Sequence, residues 1–226
     1  MIARIGKSST VQISFVRSDR DTQRFCPKFD LNLPNDSPLA PSPPPRYPLP
    51  MRYLRDTTYM DAADKGASAA IGNFDGVHLG HQAVIDLARK TVPDAPLGIV
   101  TFEPHPRAFF APDAKPFRLM GSEARASRLE KLGVDLLYEL NFNAGLAGLS
   151  PEEFARNVIC DGLGLCHIIV GPDFCFGKGR AGNAQDLVRF GQDMGFGVTI
   201  SPLIQQGVAR VSSTAIRQAL SDARPR

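Results

Sequence analysis

Gly72-Asn73-Phe74-Asp75-Gly76-Val77-His78-Leu79-Gly80-His81 follows a short apolar run, Ala67 to Ile71, and precedes an amphipathic one, Gln82 to Lys90. The order is strand, Gly-rich turn, helix. In an open parallel sheet such a turn lies at the carboxyl edge of a strand, where ligands bind. Free N–H groups at a helix start favour an anion there. Gly76 and Gly80 are expected to let a bulky phosphate approach the backbone. His78 and His81 sit at i and i+3 around the first turn, so both imidazoles can face one point. Two histidines, a helix N-terminus and a missing side chain at Gly80 together suit a site that holds a polyphosphate during chemistry.

Outward from that turn the chain alternates. Leu97–Phe102, Val134–Leu140, His167–Val170 and Gly197–Ser201 read as further buried strands. Between them, Ser122–Leu132, Pro151–Ile159 and Asn183–Met194 read as helices, and Ser213–Leu220 closes the chain as another. Ser122 opens the first of these with a capping pattern, and Arg125, Leu129 and Leu132 follow at helical spacing. Ser150 is suited to cap the next, with Pro151 at its first position. Strands separated by helical runs predict an α/β fold, a Rossmann-like doubly wound parallel sheet of about five strands. No internal repeat is visible.

The 226 residues suit one domain, or one domain and a tail. The apolar fraction is ordinary for a globular protein, and no stretch approaches the ~18 apolar residues of a membrane span. The net charge of +3 comes from residues 1–50, with seven Lys/Arg against four Asp/Glu; the remainder holds nineteen of each. The folded part is therefore neutral, which gives no support for a nucleic-acid surface. Residues 1–50 also hold nine of the nineteen prolines, a density that blocks helix and central strand. Residues 1–52 are expected to form a disordered Pro-rich extension and residues 53–226 the folded domain. Val11 to Val16 could form a strand but has no evident partner. An over-called start is one reading of the extension, with Met51 or Met60 as the natural initiator. No secretory h-region follows the first basic residues. Cys26, Cys160, Cys166 and Cys175 form no CxxC and no zinc pattern; they read as cytosolic thiols, mostly buried, and the expected compartment is the cytoplasm.

Four further stretches carry polar chemistry. Thr101-Phe102-Glu103-Pro104-His105-Pro106 ends the second strand at the same sheet edge. Its prolines stiffen the loop, and His105 either caps a neighbouring backbone or joins the site. Gly171 to Asn183 is a Gly-rich cationic loop. There Asp173 is suited to accept from a ribose or adenine group and Lys178 or Arg180 to meet phosphate. Phe174 and Phe176 read as core plugs. Arg210-Val211-Ser212-Ser213-Thr214-Ala215-Ile216-Arg217 places three hydroxyls before a helix, bracketed by two arginines. Any one hydroxyl there is an ordinary N-cap, but Arg217 lies within reach of an anion at the helix start. Ala108 to Leu119 is either a flap over a flat aromatic ligand or a loop packing its own Phe109, Phe110 and Phe117.

His78-Leu79-Gly80-His81 matches the HxGH signature of the nucleotidylyltransferase superfamily, and Ile71 to His81 resembles the adenylyltransferase module of bacterial FAD synthetases. Thr101–Pro106 resembles that family's TFxPHP string. Gly171–Gly177 resembles its G-x-[DN]-F-x-F-G segment, which lines the nucleotide site, and Arg210–Arg217 its RxSSTxxR signature. The resemblance covers about residues 65–221. It implies the nucleotidylyltransferase fold and attack of the FMN phosphate on the α-phosphorus of ATP, giving FAD and pyrophosphate. The catalytic residues would be His78, His81 and Arg217. ATP would be held by Gly72, Phe74, Gly76, Gly80, Asp173, Arg210, Ser212, Ser213 and Thr214, and the flavin by Asn73, Phe102, His105 and Pro106. Mg²⁺ would be bound by phosphates and water rather than by a dedicated set of metal ligands. Neither a nucleic acid nor a membrane is an expected partner.

The resemblance has one departure. Bacterial FAD synthetases usually continue into a riboflavin kinase domain, whereas this chain stops nine residues after Arg217. Riboflavin phosphorylation is therefore not expected, and the chain reads as a stand-alone adenylyltransferase or a truncated one. Two rivals stay open. One is the same chemistry on another phosphorylated acceptor, such as a pantetheine or sugar phosphate. The other is a catalytically idle flavin or nucleotide sensor. The His105 and Asp173 loops argue against the first, and the joint presence of His78, His81 and Arg217 argues against the second.

Overall fold

The computed structural model describes residues 50–55, 60–114, 117–202, 205–206, 209–210 and 213–222. The Pro-rich stretch before residue 50 and the Val11–Val16 strand reading lie outside the described residues.

In chain order, β1 (Arg52–Leu54), β2 (Ser68–Ile71), α1 (Leu79–Thr91), β3 (Leu97–Glu103), α2 (Pro106–Phe110), α3 (Ser122–Lys131) and β4 (Leu136–Asn141) form the first half. Then come α4 (Ala144–Gly148), α5 (Pro151–Glu153), which runs on as a π-helical stretch over Phe154–Gly162, and β5 (His167–Val170). The two-residue strands β6 (Cys175–Phe176) and β7 (Gly182–Asn183) pair as an antiparallel ribbon. α6 (Ala184–Met194), β8 (Gly197–Ile200), the small ribbon β9 (Gln205–Gln206) with β10 (Ala209–Arg210), and α7 (Ser213–Asp222) complete the chain.

Six strands make one sheet in the order β1-β4-β3-β2-β5-β8, and every pairing in it is parallel. Five were expected from the sequence. The sixth, β1, has only three residues at the sheet edge, too few to show a period. Parallel strands are covered on both faces and read as continuous apolar runs, as Ser68-Ala69-Ala70-Ile71 does with all four residues buried. Successive side chains leave by opposite faces. Ala69, Ile71, Val100, Tyr138, Ile168 and Val170 pack with Phe154 and Ile159 of the π-helical stretch and Leu187 of α6. Ala70, Ile99, Leu137 and Ile169 pack with Ile85 and Ala88 of α1 and Leu129 of α3. The Ser68 hydroxyl donates to the Ala88 carbonyl at 2.9 Å, tying β2 to α1 within the core.

Local signals explain the helix ends. Ser150 accepts from the Glu153 N–H and Glu153 returns a bond to the Ser150 N–H, a capping box with Pro151 at the first position. Asn183 and Asp186 do the same for α6. At α3 the expectation fails: the cap is Gly121, which has no side chain to offer, and Ser122 is already inside the helix. No helix among the described residues is long and apolar enough to cross a membrane.

From β2 the chain builds outward to β3 and β4, then returns to β2's other side with β5 and β8. The crevice at the carboxyl ends of β2 and β5 is the topological switch point, where doubly wound folds bind ligands. Leu137 is the second residue of β4, fully buried beneath α3. Leu137→Ala is expected to cost about 2–5 kcal/mol of stability, read as a lower urea midpoint at unchanged slope.

Candidate active site

The turn from β2 into α1 departs from ordinary backbone. Phe74, Gly76 and Val77 take φ values of 49°, 86° and 37°. A bulky residue and a β-branched one in the left-handed region are strained, and such strain concentrates at functional sites. It is held by burial, because Phe74 and Val77 are each 2% exposed. Gly76 also has a packing role. A Cβ there would stand 2.8 Å from Leu119 Cδ1, so the missing side chain makes room for the segment before α3. Gly72 continues the β2 ladder through its N–H to the Val100 carbonyl.

His78 is the N-cap of α1, its Nδ1 accepting from the His81 N–H at 3.3 Å. That bond leaves the proton of the neutral ring on Nε2, a donor. It also satisfies one of the first-turn amides and leaves those of Leu79 and Gly80 for an incoming anion. The two imidazoles stack, centroids 3.7 Å apart and planes 16° from parallel, and Phe74 closes against His81 at 5.0 Å. Burial pushes His78 below the usual histidine range and His81 down to about 3, with the neighbouring His78 adding to the latter. His81 Nδ1 is buried without a hydrogen-bond partner among the described residues, and an orphaned polar atom of this kind marks a candidate ligand contact.

The C-terminal motif arrives at the same turn. The Ser213 hydroxyl, at the start of α7, donates to the Asp75 carbonyl at 2.8 Å. Arg217 Nη2 donates to Asp75 Oδ2 at 2.6 Å, and its Nε donates to the Phe117 carbonyl at 2.7 Å. Thr214 is exposed. Arg210 lies in β10 with only its backbone described, and Ser212 lies outside the described residues.

The residues expected beside a flavin are held by several local contacts. His105 is 8% exposed and caps α2, its Nδ1 accepting from the Arg107 N–H. Of the two roles left open for it, capping is the one displayed. Burial and the Arg118 charge press it down to about 4. Pro106 is the first residue of α2. Phe102 is buried edge-on to Phe142 in the core. The Asn73 carbonyl accepts from the Thr101 hydroxyl at 3.3 Å and from Arg125 Nη1 at 3.5 Å. Within the flap, Phe109 and Phe110 pack edge-on with each other and with Phe142. Phe117 lies under two guanidinium groups, Arg107 at 4.7 Å and Arg217 at 5.3 Å. Lys115 and Pro116 lie outside the described residues.

After β5, Asp173 sits exposed in a turn, its carbonyl accepting from the Cys175 thiol. Phe174 and Phe176 stack and join the core with Phe154, as expected. The thiols are less hidden than expected: Cys160 and Cys166 are half-buried and Cys175 is exposed. Cys166 and Cys175 stand at the starts of β5 and β6, whereas Cys160 packs against the core with its thiol toward the Met194 carbonyl.

Sequence reasoning passed over Asp75 and a buried charge network. Asp75 is 3% exposed, and its Oδ1 also accepts from the Leu119 and Met120 N–H groups. Arg125, 1% exposed, bonds Glu139 at 2.8 Å and Glu103 at 3.3 Å, and Arg118 grips Glu103 with two nitrogens. The signal for Arg125 was its helical spacing with Leu129 on the apolar face of α3.

The sequence model of FAD synthetase matches residues 60–215. The chain belongs to the FAD synthetase family. Among its curated relatives, the bifunctional riboflavin kinase/FMN adenylyltransferase of Pseudomonas fluorescens is 39% identical over 175 residues, 76% of this chain and 56% of that protein. The protein of the same description from Escherichia coli K12 is 36% identical over 165 residues, 71% of this chain and 52% of its own length. The chain thus spans about half the length of the curated relatives it matches. A crystal structure described as a macrolide-efflux protein from Streptococcus pneumoniae shares the fold with a TM-score of 0.64 at 25% identity, over 75% of this chain and 57% of that one.

All four histidines of this FAD synthetase family member sit below their ordinary range, His167 also at about 4 through burial. The unfolded chain therefore binds more protons than the folded one below about pH 6.5. Stability is expected to be level above that pH and to fall steadily between about 6.5 and 4. Urea midpoints measured from pH 8 to pH 4.5 check this, and a profile that stays level down to pH 5 would contradict it.

Proposed function

We propose that this chain transfers the AMP moiety of ATP to FMN, giving FAD and pyrophosphate. The observation that carries the reading is the stacked, neutral His78–His81 pair at the start of α1, in a chain of the FAD synthetase family. The names of the curated relatives, which pair riboflavin kinase with FMN adenylyltransferase, support FMN as the acceptor.

The FMN phosphate is already an anion at neutral pH, so attack on the α-phosphorus needs no strong general base. One P–O bond forms as the bond to pyrophosphate breaks, and the protein's task is positioning and charge stabilisation. His78 Nε2–H is a neutral donor for a phosphate oxygen, and His81 is the second contact on the same side. The Leu79 and Gly80 amides and Ser213, Thr214 and Arg217 would take the remaining phosphates, with Arg210 and Ser212 as further candidates from the same motif. Asp173 is the candidate for the ribose or adenine. Asn73, Phe102, His105 and Pro106 remain the candidates for the flavin.

Among the described residues no group of three His, Cys, Asp or Glu is placed to hold a metal ion. The carboxylate nearest the turn, that of Asp75, is already taken by Arg217 and two amides. Such a site fits Mg²⁺ carried in by the nucleotide, bound by phosphates and water, where it would neutralise charge. Residues 53–226 as the catalytic domain and a cytoplasmic location belong to the same proposal.

The test is chromatography of reactions containing protein, ATP, Mg²⁺ and either FMN or riboflavin. FAD from FMN but not from riboflavin is the expected result. Absence of product with FMN or ATP still bound would favour a sensor. Turnover of another phosphorylated acceptor in place of FMN would favour the other transferase reading. His81→Ala is expected to lower kcat by roughly two to four decades, the scale of one lost acid–base or oxyanion-type contact. A loss below about tenfold would remove His81 from the mechanism.

A further inference from the structure

The reaction just described makes no use of Asp75, yet this side chain is the meeting point of three segments. It belongs to the β2–α1 turn. Its Oδ1 takes the Leu119 and Met120 amides at 2.9 and 3.2 Å, its Oδ2 takes Arg217 of α7 at 2.6 Å, and its carbonyl takes the Ser213 hydroxyl. The carboxylate is 4% exposed and the Arg217 side chain 23%.

We propose that Asp75 is a positioning residue: its carboxylate fixes the Arg217 guanidinium beside the His78–His81 turn as a preset fork for the phosphates. This rests on the reading above, which places Arg217 on those phosphates. The geometry supports it in three ways. Arg217 is held at two nitrogens, Nε on the Phe117 carbonyl and Nη2 on Asp75. Its Nη1 makes no hydrogen bond to the described residues, and one face of the plane lies over Phe117. A long, rotamer-rich side chain is thereby ordered before any ligand arrives, which removes that cost from binding.

Second, the carboxylate cannot follow Arg217 if the arginine moves, because two backbone amides pin its other oxygen. Those amides also draw part of the negative charge, so the guanidinium keeps its pull on an anion. Third, a surface ion pair would be solvated on both sides and contribute little, whereas here the acidic partner is withdrawn from water. Arg217 acts on phosphate through a posture that Asp75 sets.

The test compares the full chain with Asp75→Asn, Arg217→Gln and the double variant. Two readouts are used: calorimetric binding of pyrophosphate with Mg²⁺, and kcat and KM for FAD formation. Asparagine keeps an oxygen for the two amides but turns an N–H toward the guanidinium. Each single change is expected to weaken pyrophosphate binding by about tenfold or more and to lower kcat similarly while leaving KM for FMN nearly unchanged; the double variant is expected to be no worse than Arg217→Gln. Losses that multiply, or Asp75→Asn binding pyrophosphate within about threefold of the parent, would overturn the proposal, since a merely structural role predicts either result.

A parent chain that makes no FAD, yet shows the shared loss in pyrophosphate binding, would overturn the reading of the activity and support the role of Asp75. A parent that binds no pyrophosphate would overturn the role of Asp75. If Asp75→Asn does not fold, Arg217→Lys decides: it keeps the charge but cannot reach both Phe117 and Asp75. A loss of about tenfold supports the preset fork, and retained binding overturns it.

Discussion

A carboxylate withdrawn from water must find donors or it will not stay ionised. At Asp75 the donors come from the Leu119 and Met120 amides and the Arg217 guanidinium, so satisfying one buried charge forces three distant stretches together. The β2–α1 turn and the segment leading into α3 also meet through Phe74, Val77 and Met120, but the C-terminal helix α7 has few apolar residues with which to find them. The described side chains of α7 are half-buried or exposed, and Leu220 is 57% exposed. Its hold on the body is therefore polar, through Ser213 and Arg217. Removing one partner of a buried pair leaves the other uncompensated, at a cost on the order of 3–5 kcal/mol for fully buried pairs and less for this partly exposed one. That asymmetry makes the pair a latch: strong when complete, and unfavourable when half-made.

The same logic runs beneath the His105 loop. Glu103 and Glu139 stand near the carboxyl ends of β3 and β4, where two acidic groups side by side would repel. Arg125 from α3 is inserted between them, and Arg118 closes over Glu103. The network sets the floor from which Asn73 is held through its carbonyl. The sheet supplies the rigid edge, the charges supply the register of the loops upon it, and the strained turn at Phe74 and Val77 is kept in place by both.

Most of the fold was legible because both faces of a parallel sheet are covered. Each central strand is then an unbroken apolar run, and each helix between strands carries an apolar stripe and a cap, as Ser150 and Asn183 do. What escaped reading had no periodic signature. β1 is three residues long and is defined by its partner β4. Asp75 sits in a Gly-rich turn, where aspartate is ordinary, and only the arrival of Arg217 from far along the chain gives it a charge to meet. Arg125 was visible at the right spacing, but arginine on an apolar face is expected to snorkel outward rather than to be enclosed. Gly76 was read as room for a ligand, and its packing against Leu119 was not foreseen. In each case the deciding neighbour is remote in sequence, and composition near the residue says nothing about it.

The histidine pair joins these constraints to chemistry. Two imidazoles stacked at 3.7 Å cannot both be cationic without repulsion, and burial already disfavours the cation. The pair is therefore neutral at rest and offers directed N–H donors instead of diffuse positive charge. His78 spends its Nδ1 on capping α1, which commits its Nε2 to donation. Fixed positive charge is left to Arg217 and partial positive charge to the Leu79 and Gly80 amides. The turn thus combines neutral ring donors with one guanidinium held by Asp75 and the Phe117 carbonyl.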